Sequence, residues 1–350
     1  MGAFARQLDR LGYSTEIAER GRESLMLRMR YLLPIVFGLA VGLVPASTSG
    51  IAQTSCMLSE SFNDPHRVIH DAGSLVWVRP LHVDADGAPN AYHRDDPHGR
   101  KGLAIEYLGN GMTISRHGEE IPFEPDEREN SAWLDAYKKI LRNGWEPPPG
   151  YDLDIYGFAR DEVGRVCVTK QGRLVSSTSL VLNPQARRCD QKRYLDALKF
   201  PGIVVPNRDS EERNVVEGAD PEVAPPFAER GIRRGDLAVV YNPETRIWKG
   251  ALLYDTGPRR LLGEGSIRLV MNLRGSKRVP KSGDETNSMT LAETFTVLFP
   301  GSVSDLGARQ TWTPEKVERA AAERFKQWGG GSVERALERL LSCADDYKQR

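Results

Sequence analysis

Through much of the chain apolar and polar positions follow the two-residue rhythm of strands, and at three places they switch to a helical period. LVWVRPLHVDADG (75–87) predicts a strand of β-branched and aromatic residues running into an Asp-Gly turn. Between 153 and 182, DIYGFA, RVCVTK and RLVSSTSLVL predict short strands, and FPGIVVP (200–206) is an apolar strand framed by prolines. DLAVVY and IWKGALLY are two strands joined by NPETR, a connection of hairpin length. In SAWLDAYKKILRNGW the apolar positions Trp133, Leu134, Tyr137, Ile140 and Leu141 have the spacing of an amphipathic helix, stopped near Gly144 and PPPG. PEKVERAAAERFKQW and SVERALERLLSCADDYKQR predict two more such helices separated by GGG, the first with Thr313 as N-cap and Pro314 at its first position. Residues 53–75 read as a polar lead-in, 94–130 as a charged stretch with few apolar anchors, and 207–230 as a charged surface loop.

One apolar run stands outside this scheme. Tyr31–Val44 has the length of a signal-peptide core and falls short of the ~20 residues of a transmembrane span. Arg28 and Arg30 precede it, and Gly50 and Ala52 suit a cleavage after Ala52. The expected organisation is therefore 1–52 as signal peptide or N-terminal anchor, 53–300 as the main domain, and 301–350 as a helical extension. Export implies a secreted or periplasmic protein, free of the membrane once the segment is removed and expected as a monomer.

Composition narrows the partners. Lys and Arg number 48, as do Asp and Glu, so the phosphate-neutralising excess of a nucleic-acid binder is absent. The first 52 residues hold six basic and four acidic side chains, which leaves the remainder a formal charge of −2. The four cysteines lack CxxC spacing, and in an oxidising compartment they allow two disulfides in three connectivities. Cys167–Cys189 with Cys56–Cys343 is favoured, because the first pair flanks one β-rich stretch and the second ties the two ends.

The six histidines fall between His66 and His117, yet no HExxH or second carboxylate–histidine pattern accompanies them, so no metal and no cofactor is expected. Asp84-Ala85-Asp86-Gly87 begins like a calcium loop but lacks the Glu due at its twelfth position. Asp255 and Glu264 are better placed. Asp255 ends the apolar strand Ala251–Tyr254 and opens the turn Asp-Thr-Gly-Pro; Glu264 sits in Gly-Glu-Gly-Ser before the apolar stretch Ile267–Met271. A carboxylate at a strand end beside glycines presents its charge at a cleft, although an aspartate there also serves simply to organise its own turn.

Six blocks in order over roughly 78–275 resemble the chitosanases of glycoside hydrolase family 75: VDADGAPNAYHRDD, WEPPPGYDLD, VSSTSLVL, KRYLDALKFPGIVVP, GDLAVVYN and YDTGPRRLLGEGSI. The charged region 97–130, the 207–230 loop and the chain beyond 285 depart from that pattern. The resemblance implies endo-acting hydrolysis of β-1,4 bonds between glucosamine units with inversion, the family's catalytic pair matching Asp255 and Glu264. Glu264 is then the general acid, raised by its apolar neighbours Leu261 and Leu262, and Asp255 the base. Asp84, Asp86, Asn90 and Tyr92 are expected in the substrate groove, the acids facing chitosan's ammonium groups and the tyrosine stacking on a sugar. Ser177 and Ser179, at alternate strand positions, are expected to reach sugar hydroxyls from one face. Mildly acidic pH is the expected optimum. The alternatives are a hydrolase of another amino-sugar polymer such as peptidoglycan, or a non-catalytic envelope or sugar-binding protein, suggested by the C-terminal extension. Gly235-Asp236, the hairpin and Asp-Thr-Gly-Pro together resemble double-psi β-barrels, so the fold expected is mainly β (α+β), a double-psi β-barrel-like core with peripheral α-helices.

Overall fold

In the computed structural model Cys56 and residues 58–62, 67–125, 131–208, 218–258 and 261–349 are described. The N-terminal segment 1–52, His66 and the middle of the 207–230 loop lie outside the described residues. The expected polar lead-in is instead a hairpin, β1 (Leu58–Phe62) with β2 (Val68–Asp71), laid against β3 (Ser74–Asp84). Its apolar content is short, but Val68 and Ile69 are fully buried because β3 supplies a ready edge for them.

The charged stretch that follows is also more ordered than its composition suggests. It carries β4 (Met112–Arg116) and β5 (Glu119–Ile121), which join β6 (Tyr151–Ile155) in a small antiparallel sheet of order β5-β4-β6. Its few apolar residues, Ile105, Tyr107, Leu108, Met112 and Ile114, are nearly all inside, which is why so few suffice. Helix α1 (Ala132–Arg142) covers this region as its spacing predicts; Ser131 caps it by accepting from the Leu134 N–H at 3.0 Å, and Trp133, Leu134, Tyr137 and Ile140 are buried. Beyond β6 the expected strands are not continuous: 156–182 is irregular chain stitched by isolated bridges such as Phe158–Ser176 and Val168–Leu174.

The core is a closed barrel. β7 (Gly202–Pro206), β8 (Leu237–Asn242), β9 (Ile247–Gly257), β10 (Glu264–Ser266) and β11 (Leu291–Phe299) join β3 in the circuit β3-β10-β7-β9-β8-β11 and back to β3. Two pairings, β3 with β10 and β7 with β9, are parallel, and the rest are antiparallel. β3 closes the ring by dividing its length: β2 takes one edge near its start, β10 takes that edge at its end, and β11 runs along the other. Pro80 falls in the gap between those two partners and opposite a register break in β11, where a missing N–H costs no ladder bond. This six-stranded ring is the β-rich, barrel-like core with peripheral helices that the sequence predicts.

Short helices α2 (Pro225–Ala228), α3 (Ile267–Leu273) and α4 (Gly283–Asn287) decorate the barrel, and the two predicted C-terminal helices, α5 (Pro314–Trp328) and α6 (Val333–Gln349), pack on its wall. α5 lies directly on β9 at Gly250, where a Cβ would come within 2.8 Å of the Ala321 Cβ and 2.9 Å of the Glu318 carbonyl oxygen. The disulfides are Cys56–Cys343 and Cys167–Cys189, the favoured pairing, and they are compatible with an oxidising compartment. Among the described residues no helix is long and apolar enough to cross a membrane.

Candidate active site

The register of three strands brings the two expected carboxylates together. Asp255 of β9 pairs with Val204 of β7, and Val204 pairs in turn with Glu264 of β10. Residues in direct register share a sheet face, so both carboxylates flank Val204 on one side, their backbones about two interstrand steps of ~4.8 Å apart. Glu264 leans toward β9: a Cβ on Gly257 would sit 2.7 Å from its Oε2. Asp255 is fixed by backbone donors, accepting at one oxygen from the Ser179 N–H (2.9 Å) and from the Thr256 N–H (2.7 Å). The turn-organising reading of this aspartate therefore holds.

The end of β3 supplies the third carboxylate. Asp84 Oδ1 accepts from the Asp86 N–H at 2.8 Å, forming the Asx turn that DADG implies, and Oδ2 accepts from the Tyr254 hydroxyl at 2.7 Å. Gly87 completes the turn with φ near 87°, and a side chain there would strike the Leu195 carbonyl. Asp86 Oδ1 accepts from the Tyr92 hydroxyl at 2.6 Å. Asn90 bonds through its backbone carbonyl to the Ile105 N–H, while its buried side-chain Oδ1 has no protein partner. Glu106 was not foreseen. Only 3% exposed, it accepts at Oε1 from the Tyr107 N–H (2.8 Å) and the Asn110 amide (2.9 Å). The available signal was a single acid inside the apolar run Ala104-Ile105-Glu106-Tyr107-Leu108.

Two expectations need correction. Tyr92 is 1% exposed, with its ring edge-on to Phe158 and its hydroxyl on Asp86, so it presents no face for a sugar to stack on. Ser177 and Ser179 do not share a strand face, because 177–179 is irregular chain. Ser179 serves Asp255 through its backbone N–H, and Ser177 donates its N–H to the Gly157 carbonyl. Their neighbour Ser176 is the one built into the framework, donating to Gly157 O (3.0 Å) and accepting from the Gly87 N–H (2.9 Å). Histidines are dispersed: His93 bonds the Gln171 carbonyl, His98 stacks on Phe123, and His82 is exposed.

Burial dominates the electrostatics of this cluster. It lifts Asp84 above the ordinary aspartate range against the pull of its Tyr254 and Asp86 bonds. Asp86 is pushed well up by burial and then by the charges of Asp84, Asp255 and Glu106. Asp255 is pushed up to about 7 by burial and then by Asp84, and Glu106 to about 8 by burial. Glu264 is held well above the usual glutamate range by burial, then by Asp84, Asp255 and Glu106. The sequence ascribes the rise of Glu264 to apolar neighbours; like charges contribute as well. A group of carboxyls that cannot all ionise keeps protons at neutral pH, the condition for a general acid beside an ionised base.

Gly257 offers a direct probe of the acid's position. Gly257→Ala is expected to displace the flexible end of Glu264 and crowd Val204 Cγ1, 3.1 Å from the added methyl; if Glu264 takes part in a reaction, turnover should fall about 10²-fold. Thermal unfolding should shift only modestly, and equal loss of activity and folded protein would refute this reading.

The chain matches no family model and no curated protein. What it does is therefore argued from its own residues.

Proposed function

We propose that this protein is an exported, endo-acting glycoside hydrolase that cleaves the β-1,4 bonds of chitosan with inversion. One observation carries the reading: Asp255 and Glu264 stand on one sheet face on either side of Val204, the first buried and the second half-buried, and both are raised in pKa. Inverting hydrolysis needs two carboxyl groups far enough apart, ~6.5–9.5 Å, to seat a water against the anomeric carbon. Backbones two strands apart allow that gap, whereas neighbouring strands would bring the pair too close. Glu264, surrounded by more like charge, holds the proton and delivers it to the leaving oxygen. Asp255, whose charge two backbone N–H groups stabilise, takes a proton from the water. The surrounding acids suit a polymer whose sugars carry ammonium groups, and the two disulfides suit export.

The test is reducing-end release from chitosan by the purified protein, beside chitin and peptidoglycan, with Asp255→Asn and Glu264→Gln as comparators. Release from chitosan by the wild type alone supports the reading. Release from peptidoglycan alone would change the substrate, and no release from any polymer, with chitosan oligomers still bound, would make the protein a binder.

A further inference from the structure

Tyr156 is the one aromatic among the large apolar side chains that stay exposed in the described residues, at 48% of its surface. It follows β6 directly, and the residue is held at its backbone and at its hydroxyl. Its N–H donates to the Gly111 carbonyl (3.1 Å), and its hydroxyl reaches the Gly109 carbonyl (3.4 Å). The next residue, Gly157, also donates to Gly111 O, at 2.9 Å. That junction has no slack. A Cβ on Gly157 would lie 2.6 Å from the Gly111 Cα, 2.7 Å from the Tyr92 hydroxyl and 3.0 Å from Asp86 Oδ1, and one on Gly111 would lie 2.8 Å from the Tyr92 ring. The chain flanking Tyr156 is thus pressed against the Tyr92–Asp86 pair. The phenol lies within the electrostatic reach of Asp86, Glu120, Asp154 and Glu264, in that order.

We propose that Tyr156 is a platform on which one pyranose ring of the bound polymer stacks, at a subsite beside Asp86 and Glu264. The proposal rests on the polysaccharide reading above, and gives Tyr156 the contact that buried Tyr92 cannot make. The C–H face of a β-1,4-linked sugar is apolar, and covering half of an exposed ring removes both surfaces from water. A ring pinned at its backbone and at its hydroxyl loses little freedom on binding, so most of the contact is realised as affinity. Its electron-rich face also attracts the ammonium of an adjacent glucosamine.

The experiment compares Tyr156→Ala, Tyr156→Phe and Tyr156→Trp on a chitosan hexamer, with hexamer binding measured by calorimetry in a Glu264→Gln background. Tyr156→Ala is expected to raise KM and the dissociation constant about tenfold with kcat little changed, since the contact is made equally in ground and transition states. Phe and Trp should restore both. If the wild type cleaves the hexamer and the alanine variant keeps its KM and affinity, the platform is wrong while the hydrolase reading stands. A fall in kcat at constant KM, or no rescue by Phe and Trp, also overturns it. If the wild type neither cleaves nor binds the hexamer, the substrate reading itself fails and the platform with it.

Discussion

Glu264→Gln is expected to lower hydrolysis of chitosan by about 10²–10⁴-fold, the usual contribution of a positioned general acid, while the protein remains folded. Glutamine keeps the shape beside Gly257 but has no proton to deliver. Asp255→Asn should cost a similar factor by removing the base, and the two losses should not add, because acid and base act in one step. Initial rates over at least four decades of enzyme concentration are the measurement. A residual rate within tenfold of wild type for either variant would remove that residue from the chemistry.

The same burial sets the pH profile. With Asp255 pushed up to about 7, the proposed base ionises only as pH approaches neutrality, and the rate is expected to fall again when Glu264, raised by burial and then by its like-charged neighbours, loses its proton. On the proposed mechanism the optimum is expected near neutrality, above the mildly acidic range expected from the sequence. Stability moves in the opposite sense. A carboxyl with a raised native pKa keeps its proton in the folded chain after the unfolded chain has released it. Its contribution is full below the unfolded value of ~4.5 and is lost as pH rises through the native value, about 8 for Glu106. Glu106→Gln is accordingly expected to flatten the decline in melting temperature between pH 5 and pH 8. An unchanged decline would show that Glu106 does not titrate in that window.

The parts of this site that the sequence reveals are those built by local rules. Asp255 and Glu264 stand out because a strand end followed by glycine is a pattern of a few residues, and the Asp84–Gly87 turn is equally local. α1, α5 and α6 announce themselves by a 3.6-residue period that one buried face imposes. Glu106 is different in kind. Its neighbours in space are Asp84 and Glu264, brought together only when β3 and β10 pair across the closed barrel. Charge density around it reads as a solvated face, although the backbone N–H of Tyr107 and the Asn110 amide take it inside. Ser177 and Ser179 fail for the complementary reason. Alternation in RLVSSTSLVL has the strand period, but hydrogen bonds to Gly157 and Asp255 occupy its backbone in place of a continuous partner strand. Tyr92 shows that a polar-tipped aromatic in a loop gives no warning of whether its ring faces water or Phe158.

The second large effect concerns how the C-terminal helices are fastened to β2, beside the barrel. Asp71, at the end of β2 and fully buried, forms a paired contact with Arg339 of α6: Nε to Oδ2 at 2.8 Å and Nη2 to Oδ1 at 3.1 Å. Arg339 also donates to the carbonyl of Trp328 and lies over that indole, 5.0 Å from its centroid, so one guanidinium on α6 joins β2 to the end of α5. The sulfurs of Cys56–Cys343 lie within 4.8 Å of the Asp71 carboxylate and fasten the same corner covalently. Replacing Arg339 by Met leaves the Asp71 charge buried without its planar partner, and is expected to cost ~3–5 kcal/mol in urea unfolding. Converting Asp71 to Asn in the same protein should recover a large part, because the cost is that of the stranded charge more than of the lost attraction. The candidate site lies at the far end of β3, so any kcat per folded molecule at 25 °C should stay within twofold of wild type. A single variant within 1 kcal/mol of wild type, or a double variant weaker than the single, would show that the disulfide and the packing of Phe325 and Trp328 hold this corner without the ion pair.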